Sequence, residues 1–277
     1  MEKMIKLFQE RGVETDKIQV AYSPERVLPG QTMRELVEND RIVGGITKEA
    51  ALHVALFYES FVQGNVIVTN SRTAEMSKLT ENACRDVNIA FANELSILCD
   101  KFDINVWELI SLANRHPRIN ILKPGSGVGG HCIAIDPWFI VADGGEDAKI
   151  IRTAREINNR KPLWVIEKVM NSISEFKDQH GWEPRVACMG LAFKPDIDDL
   201  RESPSLFIAM ELLARGIDPI ICEPNIKQHK ALKLTDYREA INQADIIVFL
   251  VSHKEFKAVE IPADKLTIDI CGVKSKY

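Results

Sequence analysis

The sequence predicts an α/β protein. A helical centre built on a long spine helix comes first, followed by a doubly wound, mostly parallel sheet domain. Two stretches carry this expectation. Residues 71–102 contain no Gly or Pro and repeat apolar residues at helical spacing. From Arg185 onward, short apolar runs alternate with helix-start signals, which is the rhythm of parallel strands joined by helices. The length of 277 residues is enough for two domains.

Residues 1–12 read as a short helix with Met4, Ile5, Leu7 and Phe8 as its apolar residues. Residues 17–22 (KIQVAY) read as a buried strand. It runs into Ser23-Pro-Glu-Arg-Val-Leu-Pro-Gly30, a loop rich in chain breakers. Glu25 and Arg26 put a carboxylate and a guanidinium at a strand's end, where α/β proteins often place ligand groups. A solvated loop with two ordinary charges is the plain alternative. Residues 42–46 form another short strand. Lys48 to Val62 is helical and capped by Thr47. Asn65 to Thr69 is brief and β-branched.

The spine helix runs from Ser71 to about Phe102, with Met76, Leu79, Ala83, Ala90, Phe91, Leu95 and Leu98 recurring at helical spacing. Lys78, Asn82 and Arg85 stand at i, i+4 and i+7, so they share one face. An ammonium, an amide and a guanidinium in a row make an anion- and hydroxyl-binding stripe. Most such trios are simply solvated. Asn is a poor helix former, and only Glu75 and Glu81 could balance the charge, which favours binding.

Asn105 to Asn114 is a shorter helix, broken at His116-Pro-Arg118. Next comes Lys123-Pro-Gly-Ser-Gly-Val-Gly-Gly-His-Cys132, with Asp136-Pro137 close behind. Glycine tolerates unusual backbone angles and lets the chain approach a ligand closely. Cys132 at the end of such a loop is placed to be presented. An incidental buried cysteine in a tight turn is the weaker reading. The run Gly125-Ser-Gly-Val-Gly-Gly130 matches G-x-G-x-x-G, but no strand precedes it and no helix is predicted after it, so it is not a dinucleotide fingerprint. Trp138 to Val141 is apolar, and Asp143-Gly-Gly145 reads as a turn. Asp147 to about Gln179 is a second long helix, interrupted or bent at Pro162.

The last part reads as a Rossmann-like domain. Strands are expected at 185–189, 219–222, 246–251 and 266–270. Ser203-Pro204 opens a helix to Leu213, and Asp236 to Gln243 is another. Ligands in such sheets sit beyond the strand carboxyl ends. That singles out the loop 191–202, where Phe193 offers a stacking face and Lys194 and Arg201 offer charge for phosphate. The expected domains are 1–46, an α/β remnant and loop; 47–180, a helical central domain; and 181–277, the α/β domain.

The net charge of −5 argues against nucleic acid as a main partner. No apolar run approaches the ~20 residues needed to span a bilayer. The six cysteines (Cys84, Cys99, Cys132, Cys188, Cys222, Cys271) form no C-x-x-C and no zinc-type cluster, so no metal site is expected. A reduced, cytoplasmic protein is the default.

These motifs together resemble the nucleotide-diphosphate-sugar 6-dehydrogenase family. The matching stretches are Ser23-Pro-Glu-Arg-Val-Leu-Pro-Gly30, Thr73-Ala-Glu…Lys78-Leu…Glu81-Asn82, Gly-Gly-His-Cys132…Asp136-Pro137 and Phe193-Lys194…Arg201-Glu-Ser-Pro204. Members act on UDP-glucose, GDP-mannose or UDP-N-acetylmannosamine. The wording here is nearest the UDP-N-acetylmannosamine branch, and Pro29 stands where the UDP-glucose branch usually has a glutamate. The family carries an N-terminal NAD-binding domain with a glycine fingerprint. This chain opens close to the end of that domain without the fingerprint, so the resemblance predicts that the main NAD-binding domain is absent.

The resemblance also implies roles. Cys132 as thiolate attacks an aldehyde, giving a thiohemiacetal and then a thioester. Lys78 and Asn82 stabilise the oxyanion, with Lys78 also as acid/base. Asp136 and Glu25 manage protons and the hydrolytic water. Arg26, Val27, Arg85, Lys123 and Gly129 line the UDP-sugar site, Phe193 and Lys194 hold UDP, and Arg201 touches NAD. His116 and Arg118 reach a neighbouring subunit's site, because the family forms homodimers through its central helices. A non-catalytic UDP-sugar-binding or dimerisation module stays open as an alternative. UDP-glucose, UDP-N-acetylglucosamine or GDP-mannose as substrate stays open too, while a thiol acyl-transferase using Cys132 and His131 ranks low because adjacent side chains rarely aim at one another.

Overall fold

In the computed structural model, residues 1–27 and 30–276 are described. Leu28 and Pro29 of the expected loop motif lie outside the described residues. The chain forms two compact units, Met1–Asn82 and Ala83–Tyr277.

The first unit holds α1 (Glu2–Glu10), β1 (Ala21–Tyr22), α2 (Thr32–Glu38), β2 (Arg41–Gly45), α3 (Lys48–Glu59), β3 (Val66–Asn70) and the start of α4 (Ser71–Lys101). Its sheet has the order β1-β2-β3; β1 is antiparallel to β2, and β2 is parallel to β3. The expected strand over 17–22 shortens to two residues. Thr15–Lys17 is a 3-10 turn, and β1 pairs only where Gly44 and Gly45 lie opposite it. The helix α2 was not expected from the sequence.

The Thr47 hydroxyl caps α3 by accepting from the Ala50 amide. Ala50, Ala51 and Ala55 form its buried face. These small side chains let the helix lie close on a sheet. α3, read from the sequence with the helical centre, is therefore the crossover of a parallel β2–α3–β3 unit, as parallel strands require.

The second unit holds the rest of α4, α5 (Val106–Ala113), α6 (Asp136–Gly144), α7 (Lys149–His180), β4 (Val186–Met189), α8 (Pro204–Ala214), β5 (Ile220–Cys222), α9 (Tyr237–Gln243), β6 (Ile246–Phe249), α10 (Lys254–Lys257) and β7 (Leu266–Asp269). The sheet is wholly parallel with the order β5-β4-β6-β7. Side chains alternate across it. Val186, Cys188, Ile246 and Val248 pack with Val165, Ile166 and Val169 of α7 and Ile208 and Leu212 of α8. Ala187, Met189, Ile247 and Phe249 pack on the other face with Ala240 and Ile241 of α9 and Phe256 of α10. Helices on both faces of a parallel sheet make the doubly wound arrangement, and each fully buried Val, Leu or Ile contributes about 1.5–3 kcal/mol.

Three expectations for the helices are corrected. α7 runs unbroken through Pro162. A proline inside a helix costs about 3 kcal/mol, and here the buried neighbours Asn158, Lys161, Val165 and Ile166 hold the helix in place. Trp138–Val141 and Asp143-Gly144 are not an apolar run and a turn but the body of α6, which starts with Asp136-Pro137 at its first positions. That is where proline suits a helix. On α4, the large apolar residues Met76, Phe91 and Leu98 are exposed. From Ala83 onward its buried residues are small or polar: Ala83, Asp86, Ala90, Ala92, Asn93, Ser96 and Cys99. Small side chains allow close helix packing, and the polar ones are buried because they find partners on α7.

Candidate active site

The glycine loop is held at several points within the second unit. The Gly125 amide donates to Asn93 Oδ1 of α4 at 2.9 Å. The Ser126 hydroxyl donates to the Leu250 carbonyl at 2.8 Å, at the end of β6. The Gly130 amide donates to the Arg201 carbonyl at 3.1 Å. The glycines are needed for close approach to protein rather than open space. A Cβ on Gly129 would sit 2.5 Å from the Glu202 carbonyl, and one on Gly130 would sit 2.9 Å from the Phe193 ring, with φ at +84°. The space that the sequence reserves for a ligand at these two positions is filled by the loop after β4.

Cys132 follows directly and is exposed. Its carbonyl accepts from the Ile135 and Asp136 amides at 3.1 and 2.8 Å, so the cysteine leads straight into α6. Asp136 is in the first turn of that helix. Arg201 forks onto Asp199, with Nε to Oδ1 at 3.0 Å and Nη2 to Oδ2 at 2.6 Å. This pairing raises the Arg201 pKa. The same guanidinium holds the Asp199 carboxyl below the usual range. The Arg201 carbonyl, through the Gly130 amide, ties this loop to the chain two residues before Cys132.

The carboxyl ends of β4, β6 and β7 open on a cavity of about 360 Å³. The sheet order β5-β4-β6 reverses direction here, which is where open α/β sheets take ligands. Lys123, Gly127 and Phe193 meet in its wall, joined by Ser126, Ser252 and Lys257. Sequence reasoning missed Ser252 and Lys257; the weak signal was polar residues directly after the apolar run of β6. Lys194 is exposed and outside this wall. His116 and Arg118 are exposed in the turn after α5, where the Arg118 amide donates to His116 Nδ1 at 3.4 Å.

In the first unit, the Glu25 carboxylate accepts from the Arg26 and Val27 amides at 2.7 and 3.0 Å and pairs with Arg41 at 3.3 Å. Arg41 is buried and also donates to the Leu36 carbonyl at 3.2 Å. It was not singled out from the sequence. Arg26 pairs with Glu81 of α4 at 3.4 Å. Lys78 and Asn82 are half-buried and one turn apart on α4, and Arg85, exposed, follows on the same helix.

A buried polar network, unexpected from residue spacing, joins α4 to α7. Asp86 pairs with Arg155 at 2.6 Å. Asn158 Nδ2 donates to Asp86 Oδ1 at 2.8 Å, and Asn93 Nδ2 donates to Asn158 Oδ1 at 2.9 Å. Burial pushes the Asp86 carboxyl up, against the pull of Arg155 and Asn158. Lys161 Nζ donates to Ser96 Oγ at 2.6 Å and lies 3.7 Å above the Trp164 ring. Burial lowers its pKa to about 7.

Sequence families match nearly the whole chain. Residues 1–62 match the NAD binding domain of the UDP-glucose/GDP-mannose dehydrogenase family, 72–160 its central domain and 187–275 its UDP binding domain. A UDP-D-ManNAc dehydrogenase structure from Pyrococcus horikoshii covers 100% of this chain and is itself covered to 67%, at 38% identity and TM-score 0.87. The chain belongs to this family. The UDP-N-acetyl-D-mannosamine dehydrogenase of Campylobacter jejuni is 58% identical over 267 residues, or 94% of this chain. The NDP-N-acetyl-D-galactosaminuronic acid dehydrogenase of Ralstonia nicotianae is 52% identical over 273 residues. The chain spans 64% and 63% of the lengths of these two relatives.

The match over 1–62 corrects the expectation that the NAD-binding domain is absent. No G-x-G-x-x-G stands in that segment. The glycine turn is only one feature of such a domain, and the parallel β2–α3–β3 crossover is another that carries no glycine signature. Among the described residues, no helix is long and apolar enough to cross a membrane.

Proposed function

We propose that the chain performs the family's oxidation: a UDP-sugar hydroxymethyl group is converted to a carboxylate, with UDP-N-acetyl-D-mannosamine giving UDP-N-acetyl-D-mannosaminuronate. The observation that carries this is Cys132, an exposed thiol at the end of a glycine loop clamped by Asn93, Leu250 and Arg201. The parallel β2–α3–β3 crossover offers strand carboxyl ends of the kind that take a dinucleotide, so NAD fits this fold. NAD+ supplies hydride acceptance, two per sugar.

The Cys132 thiolate adds to the aldehyde carbon, forming a C–S bond and a thiohemiacetal. Loss of hydride gives the thioester. Water cleaves the C–S bond and returns the thiolate, releasing the acid. Lys78 and Asn82 donate to the developing oxyanion, and Lys78 exchanges a proton with it. Asp136 and Glu25 orient water and carry protons. Arg26, Val27 and Arg85 line the sugar site, and Gly129 seats the loop that carries Cys132 against Phe193 and Glu202. Phe193, Lys194 and Lys123 hold UDP, and Arg201 faces the NAD side. His116 and Arg118 reach into a second subunit of a cytoplasmic homodimer; the exposed Phe91 and Leu98 on α4 support that pairing.

The test is NADH formation by the full chain with UDP-N-acetyl-D-mannosamine, UDP-N-acetylgalactosamine and UDP-glucose. Wild-type acid production by Cys132→Ser overturns the nucleophile role. A second reading, a UDP-sugar-binding module without turnover, is favoured by one observation: the cavity at β4, β6 and β7 is complete within the second unit. Tight UDP binding without NADH formation on any of these sugars selects it.

A further inference from the structure

We propose that Asn93 and Asn158 are positioning residues for Cys132, acting as an amide relay that fixes the glycine loop from behind. This rests on Cys132 being the nucleophile. Neither asparagine touches the cysteine. Asn93 Oδ1 accepts the Gly125 amide at 2.9 Å, seven residues before the thiol. Asn93 Nδ2 donates to Asn158 Oδ1 at 2.9 Å. Asn158 Nδ2 donates to Asp86 Oδ1 at 2.8 Å and to the Asp86 carbonyl at 3.0 Å.

The relay has a fixed direction. An amide side chain presents one acceptor end and one donor end. Both groups that Asn158 Nδ2 meets on Asp86 are acceptors, so Asn158 must turn its NH2 toward them and its oxygen toward Asn93. Asn93 must then turn its NH2 toward Asn158 and its oxygen toward Gly125. The acceptor that pins the loop is therefore set by a carboxylate two amides away.

Stability alone does not account for this arrangement. Asn93, Asn158, Asp86 and Arg155 are all buried. Asp86 Oδ2 and Arg155 Nε are buried without a hydrogen-bond partner. A buried ion pair left partly unsatisfied is a poor stabiliser compared with apolar packing, but it does fix geometry. The geometry it fixes is that of the segment carrying Cys132. Gly127 packs against the same turn of α7, where an added Cβ would lie 3.1 Å from Pro162 Cγ and 3.2 Å from the Asn158 carbonyl.

The experiment uses the full chain and two variants, Asn93→Ala and Asn158→Ala. Amide exchange is followed across residues 123–132, and iodoacetamide alkylation of Cys132 is read against Cys84, the other exposed cysteine. In the wild type the Gly125 amide is protected. Each variant speeds its exchange about tenfold or more, with the effect confined to this loop. Each also moves the Cys132:Cys84 alkylation ratio about threefold or more. The informative case is Asn158→Ala, because Asn158 makes no hydrogen bond to the loop and acts only through Asn93. An unprotected Gly125 amide in the wild type overturns the proposal without any variant. So does an Asn158→Ala chain with wild-type exchange and alkylation. Where the variant enzymes turn over, kcat falls and KM for the UDP-sugar moves little. If Cys132→Ser retains acid production, the nucleophile reading fails, while exchange and alkylation still judge the relay.

Discussion

Two carboxylate–arginine pairs, one in each unit, are built in opposite ways. In Asp86–Arg155 both side chains are buried, and Asn158 donates to the same carboxylate oxygen as Arg155. In Glu25–Arg41 the guanidinium is buried but the Glu25 side chain is 58% exposed. The first pair cannot rearrange without leaving a charge in the protein interior. The second keeps its arginine fixed and leaves its carboxylate able to meet water or a ligand. A buried pair suits holding a backbone in place, and a half-exposed pair suits handling protons.

The contrast breaks hardest at turnover. Cys132→Ser should lower acid formation by about 10³-fold or more, whereas Glu25→Gln, a proton-handling change, should lower kcat by about 10²-fold or more. Product quantification for both variants checks this. A Glu25→Gln enzyme with wild-type kcat reduces that pair to a loop fastener.

Stability should show the opposite order. Asp86→Asn leaves the Arg155 charge buried and costs about 3–5 kcal/mol. Glu25→Gln costs less, because solvent reaches the replaced side chain and the Leu36 carbonyl still accepts from Arg41. Urea melts of the two variants decide, and equal losses would erase the distinction. The sheets offer a parallel test. Leu212→Ala, in the buried layer of the second sheet, costs about 2–5 kcal/mol. Ile67→Ala on the exposed part of β3 stays within about 0.5 kcal/mol.

One further effect is read as a slope against pH. Lys161 has its pKa lowered from 10.5 to about 7 in the folded chain. Over that range the unfolded chain binds more protons than the folded one, so this group makes stability rise with pH. The penalty is complete below pH 7 and fades toward pH 10.5. Lys161→Met should flatten the difference between melts taken across this range, and an unchanged slope would place Lys161 as an ordinary ammonium.

Much of this was legible in the sequence. The strands of the second sheet read correctly because four-residue apolar runs bounded by Gly, Pro and cap residues have few other uses. Thr47, Asn105, Ser203 and Asp236 all cap helices as their residue types suggest. Cys132 and its glycines stood out by composition alone. The buried face of α4 did not. Periodicity ranks side chains by hydrophobicity, and there Asp86 and Asn93 are inside while Phe91 and Leu98 are outside. A polar group is tolerated inside only when it has a partner, and those partners lie 65 or more residues away on α7.

The sequence by itself therefore determined the local chemistry: which segments are helix or strand, where they are capped, and which loop is built of glycine. Those depend on neighbours a few positions apart. Only the tertiary structure decided that Gly129 and Gly130 make room for Phe193, that the Arg201 carbonyl meets the Gly130 amide, and that Asn93 pins Gly125. Each of these depends on a contact made by folding distant segments together, and the free energy of such a contact is not encoded in the spacing of either segment alone.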